Sequence, residues 1–127
     1  MIKYHNYRNE LLSKKKSMFY KYKELSEMTS TTKQNIQQIL TGKNMGSHRT
    51  YKELEQIFQP SVSFIDYVQQ FKPLIAELNL SIEFVAEAVG MTKLGLENII
   101  ECRTIGQIAN YIKLEEMIEK WQKLSEI

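Results

Sequence analysis

An internal repeat constrains this chain more than any other feature of its sequence. Shifted by sixty positions, the second half aligns on the first without a gap, and nine positions between 1 and 60 are identical. Identity is the smaller part of the signal. Apolar positions stay apolar at the same offset: Leu25 meets Val85, Ile36 meets Leu96, Ile39 meets Ile99, and Ile57-Phe58 meets Met117-Ile118. Thr32-Lys33 falls on Thr92-Lys93, Gly46 on Gly106, and Tyr51, Leu54 and Glu55 on Tyr111, Leu114 and Glu115. Self-similarity at a fixed period means one supersecondary unit written twice. It predicts two small units, residues 1–60 and 61–127, with the boundary at Gln59-Pro60-Ser61-Val62-Ser63. Pro60 disfavours helix at the residue before it. Ser63, with Asp66 three positions on, offers a start for the next helix.

Within each unit the apolar spacing is helical. The pattern predicts helices over 4–16 and 20–28, a third N-capped by Thr32 and stopped by Gly42, and a fourth over 49–58. In the second unit it predicts a helix over 64–78, kinked or restarted at Pro73. Ser81 caps the next, which Gly90 ends; Thr92 caps another to about Glu101; a long last helix runs from about Ile108 to Ser125. No segment alternates with period two, and Gly 5 plus Pro 2 are too few for the turns of a β barrel. The expected fold class is all-α.

Composition narrows the chemistry. With Cys 1 and His 2 there is no disulfide framework and no zinc cluster, so neither metal nor cofactor is expected. No phosphate-binding Gly-Lys-Ser/Thr loop, GxGxxG, HExxH or GxSxG occurs. Cys102 has no base near it in sequence, His48 reads as a loop residue, and Glu115-Glu116 as solvated helix surface. An enzyme is not expected. No apolar run approaches the ~18–20 residues that span a bilayer, and the polar start MIKYHNYRNELL lacks a signal-peptide core. These features point to a cytoplasmic protein with no membrane contact.

The net charge of +2 conceals a split. Residues 1–60 hold 11 Lys+Arg against 5 Asp+Glu, a balance of +6, and residues 61–127 hold 6 against 10, a balance of −4. The first unit suits a polyanion and the second repels one. Lys14, Lys15 and Lys16, with Lys21 and Lys23, alternate with Tyr20 and Tyr22, and Lys15 and Lys16 are candidate phosphate contacts. Phe19 is expected in the core.

Residues 25–43, LSEMTSTTKQNIQQILTGK, place two short helices around a tight turn, with Leu25, Ile36, Ile39 and Leu40 on the shared inner face. A helix-turn-helix needs that spacing, because its second helix must keep the outer face free for a major groove. Here that face holds Lys33, Gln34, Asn35, Gln37, Gln38 and Thr41, with no acid. Gln and Asn pair bidentately with adenine, and Lys donates to guanine or phosphate. The stretch resembles the phage repressor/Cro (Xre-like) helix-turn-helix family. Leu25-Ser26 stands at the family's Leu-Ala pair, Ser30-Thr31-Thr32 forms the turn, Ile36 is the buried aliphatic, and Thr41-Gly42-Lys43 is the ending. Ser26 departs from the usual Ala, and Thr29-Ser30 from the usual aliphatic-Gly. The resemblance implies two tandem lambda-repressor-like units with an extended C-terminal helix. It further implies sequence-specific binding of double-stranded DNA and transcriptional regulation in a phage or mobile element. By it, Lys33, Gln34, Asn35, Gln37 and Gln38 are base readers, and Thr32, Lys43, Asn44 and Arg49 are backbone contacts.

The second copy, VAEAVGMTKLGLENIIECR at 85–103, matches the family scaffold at Val85-Ala86, Gly90 and Leu96. Its outer face is less suited to DNA. Thr92, Lys93 and Asn98 are candidates for a second reading head, yet Glu97 and Glu101 would meet phosphate, and Cys102 replaces the terminal glycine. Tyr111, Leu114, Ile118 and Trp121 recur three and four apart, a heptad-like seam expected to make a homodimer contact. Two heads in one chain would instead form an internal pseudo-dimer. The alternative class is a protein-interaction module, an inhibitor or adaptor, whose acidic residues 61–127 bind a partner protein.

Overall fold

Four helices in this chain begin on a hydroxyl cap. Thr32, Ser47, Ser81 and Thr92 accept hydrogen bonds from the backbone N–H groups of Asn35, Thr50, Phe84 and Gly95, each satisfying a donor that the first helical turn leaves open. The computed structural model describes residues 1–126. Its elements are α1 (Tyr4–Ser17), α2 (Tyr22–Met28), α3 (Lys33–Leu40), α4 (His48–Phe58), α5 (Phe64–Gln69), α6 (Phe71–Glu77), α7 (Ile82–Val89), α8 (Lys93–Ile100) and α9 (Ile108–Ser125). The fold is all-α, with no strand among the described residues. No helix among them is long and apolar enough to cross a membrane.

The chain divides into two compact units, Ile2–Phe64 and the residues from Ile65 on. In the first, α1 packs on α3 and α4, and α2 on α3; in the second, α7 packs on α8 and α9, and α6 on α9. The repeat extends to single atoms. Tyr51 Oη accepts from Gly46 N–H at 3.1 Å, and Tyr111 Oη accepts from Gly106 N–H at 3.1 Å. Tyr7 Oη donates to Glu55 at 2.5 Å, and Tyr67 Oη donates to Glu115. The left-handed residues also correspond: Phe19 (φ 59) with Asn79 (φ 57), and Gly42 (φ 83) with Cys102 (φ 61). Cys102 therefore keeps the helix-ending geometry that its glycine counterpart has.

Several expectations change. The first unit reaches Phe64, one residue past the Gln59–Ser63 stretch, because the Phe64 ring stacks on Tyr51 at 4.3 Å and its N–H donates to Glu55 at 2.7 Å. The 64–78 helix breaks at Gln70, ahead of Pro73. Pro73 has no N–H for the Gln69 carbonyl, and its ring crowds that group. His48 is the first residue of α4, not a loop residue, since Ser47 supplies the cap. Phe19 is 87% exposed instead of buried: its left-handed turn ends α1 and turns the ring outward. Glu115 is buried, 3% exposed, not solvated.

The proposed dimer seam is corrected too. Tyr111, Leu114 and Ile118 are each 0% exposed, used up in their own unit's core, so they are not available to a second copy. Three-and-four spacing marks an apolar stripe without saying which body covers it. Of the four, Trp121 alone is only half-buried, edge-on to Phe84 at 5.6 Å.

Candidate nucleic-acid interface

The inner face of α3 is fixed by burial. Ile36 and Leu40 are fully inaccessible, as is Leu25 of α2. This amphipathic division forces the other face outward, where Lys33, Gln34, Asn35 and Gln37 are exposed. Gln38 is half-buried and differently committed: its Oε1 accepts from Asn44 Nδ2 at 2.7 Å, and its carbonyl accepts the N–H groups of Lys43 and Asn44. It braces the loop after α3. Thr41 Oγ1 donates back to the Gln37 carbonyl at 2.6 Å and is similarly occupied. Lys43, Asn44 and Arg49 are exposed beside this face, and Thr32 caps it.

The turn before α3 is tied to α4 by hydroxyls and one carboxylate. Ser30 donates its N–H and its Oγ to Glu53 at 2.6 and 2.7 Å. Arg49 Nε donates to the same carboxylate at 3.1 Å. Thr31 and Thr50 hydroxyls meet at 2.9 Å, and Thr50 meets Ser47 at 3.0 Å. The Ser30 hydroxyl and N–H, then Arg49, hold the Glu53 carboxyl below the usual carboxylate range. Ser30, Thr32, Asn35, Asn44 and Ser47 open onto a polar cavity of about 430 Å³ between the starts of α3 and α4.

The basic cluster on α1 is sorted by its contacts. Lys14 Nζ donates to the Gln59 carbonyl at 2.7 Å and lies 3.9 Å from Glu10. Lys15 Nζ sits over the Tyr22 ring, 4.0 Å from its centroid, in a cation–π contact. Lys16 is exposed. The site also contains a residue that sequence reasoning missed. The Arg8 guanidinium lies where a Cβ on Gly42 would stand, and Arg8 Nε is buried with no hydrogen-bond partner. The signal was in the repeat, because Arg8-Gly42 aligns with Val68-Cys102: the larger side chain on α1 faces the residue without a Cβ.

The second unit presents another surface. Lys93 Nζ pairs with Glu83 at 2.8 Å and stands 3.9 Å from Glu97. Asn98 Oδ1 accepts from Arg103 Nε at 2.9 Å, Glu101 pairs with Lys72 at 2.6 Å, and Thr92 is spent as the α8 cap. Leu94 is 65% exposed at the position of Gln34. The candidate second-head residues thus come together on α8 and its cap, where Lys93 is paired with two acids. No group of three or more His, Cys, Asp or Glu among the described residues is placed to hold a metal ion. Compared with protein-family models, curated proteins and solved structures, the chain matches none.

Proposed function

We propose that this protein binds double-stranded DNA sequence-specifically through its first unit and regulates transcription. The observation that carries the reading is the exposed face of α3. Lys33, Gln34, Asn35 and Gln37 stand outward on a helix whose other side is locked in the core, with no acid among them. Such a face offers bidentate partners for base edges in the major groove. Lys43 and Arg49, exposed beside it, serve as phosphate contacts that position without reading, and Lys16 on α1 is a further exposed cation. The resemblance to phage repressor helix-turn-helix segments supports the same reading and suggests a phage or mobile-element regulator.

The second unit has a different part. With Lys93 held by Glu83 and Glu97, α8 brings no free cation to phosphate, and the exposed Leu94 favours a protein surface. We assign it to contact with a protein partner.

The test is a salt titration of binding to a mixed duplex pool, with the bound fraction sequenced. Steep salt dependence with an enriched motif is the expected result. No binding at low salt overturns the reading and leaves the protein-interaction module.

A further inference from the structure

The two units close the same helix–turn–helix by different means. In the second, α7 ends on Gly90 at φ 77, a left-handed residue that costs glycine nothing. Sixty positions earlier stands Ser30, α2 stops at Met28, and Thr29 is extended at φ −128. No left-handed residue makes this turn. The Thr29 hydroxyl bonds locally, donating to the Leu25 carbonyl at 2.8 Å and accepting from Thr31 N–H at 3.3 Å, and Ser30 is held from outside by the Glu53 carboxylate, which takes both its donors at 2.6 and 2.7 Å. The second unit has kept none of these parts: Glu53 corresponds to Lys113, Ser30 to Gly90, and Arg49 to Ala109.

We propose that Glu53 is a positioning residue of the reading head, setting the entry of α3 and aiming Arg49 at the DNA backbone. The inference rests on the DNA-binding reading above. One carboxylate reaches two parts of the interface that must act in register. Through Ser30 it fixes the residues directly before the Thr32 cap, and so the start of the base-reading face. Through Arg49 Nε it holds a guanidinium whose side chain is 78% exposed, leaving the terminal nitrogens for a phosphate fork. The Thr31–Thr50–Ser47 hydroxyl chain runs alongside and joins the same two segments. A carboxylate next to DNA raises the electrostatic cost of all binding. Its contribution is therefore to specificity, which depends on a rigid supporting shell.

The experiment compares the whole protein with Glu53→Gln and, as a control for the charge alone, Glu27→Gln, an exposed acid on α2 outside these contacts. Affinity is measured for the enriched duplex and for a scrambled one. For Glu53→Gln the specific-to-scrambled ratio is expected to fall by about tenfold or more, a loss of ~1.4 kcal/mol, while scrambled-duplex affinity does not fall. Glu27→Gln keeps the ratio. A purely structural role lowers both affinities by one factor, and that result, or a ratio equal to the control's, overturns the proposal. Amide exchange without DNA gives a second readout: Ser30 N–H is protected in the unchanged protein and loses protection in Glu53→Gln. Protection that persists in the variant also overturns it. If the unchanged protein enriches no motif, the DNA-binding reading itself falls; if it does and only the ratio fails to move, the reading stands without Glu53.

Discussion

A Cβ at residue 42 would fall on the Arg8 guanidinium, on a backbone at φ +83 that side chains rarely adopt. Gly42→Ala is expected to cost about 1–3 kcal/mol, from the left-handed strain and from displacing Arg8. Urea unfolding measures it. The pair Arg8→Val with Gly42→Cys copies the second unit's solution, where Cys102 holds φ 61, and should recover the steric share of the loss. On the reading face, Gln34→Ala should remove one bidentate contact at a cost of about 1–3 kcal/mol against the specific duplex only. An equal loss on scrambled DNA would show that Gln34 reads nothing. Gln38 marks the limit of reading such a face from sequence. Its letter fits the amide row, but Asn44 takes its oxygen, a bond that depends on where the next loop folds.

Elements were legible wherever a cap and a stripe coincided. The Thr32, Ser81 and Thr92 starts and the Gly90 stop follow from local chemistry. What sequence did not disclose depends on residues far apart in the chain. Glu115 looks like half of a solvated pair on α9 until Tyr67, on α5, donates its hydroxyl to it across 48 positions of sequence. The α9 stripe looks like a dimer seam until the unit's own core covers it. The buried carboxylate gives a prediction for the element. Tyr67→Phe removes a bond to a charged group and should cost about 1.5–3 kcal/mol. Tyr7→Phe should cost less, because Glu55 is only half-buried whereas Glu115 is 3% exposed. Denaturant midpoints of the two variants rank them, and the reverse order would contradict this account of the repeat.

Across the whole molecule, charge is split between a basic first unit and an acidic second one, and pH and salt probe its effects separately. Glu10, Glu53, Glu83 and Glu101 have folded pKa values lowered from 4.5, each by hydrogen bonds, with Ser61, Ser30, Lys93 and Lys72 respectively as the main partners. The unfolded chain then binds more protons, so stability rises with pH in that window. Their contribution is complete above 4.5 and is lost as pH falls through the folded values. Tyr7 has the opposite sign at the other end: burial, then Glu55, raises its pKa above 10.0, so its contribution is lost on going above that value. Thermal midpoints against pH should therefore show a plateau with losses on both flanks. Salt reports on the interface instead. If Lys16, Lys43 and Arg49 each meet a phosphate, log affinity should fall against log salt with a slope of about −3. The second unit should add nothing while Glu83 and Glu97 hold Lys93. Replacing both acids with Gln and Leu94 with Gln gives α8 a free cation and an amide beside a scaffold that already matches α3 in caps and buried positions. The slope should then steepen by about one, and the enriched motif should lengthen if α8 is able to enter a groove. A steeper slope with an unchanged motif would mean that Lys93 reaches phosphate and α8 reads no base. No change in either would mean that α8 stays off the DNA even when its charge permits contact, as a unit given over to a protein partner should.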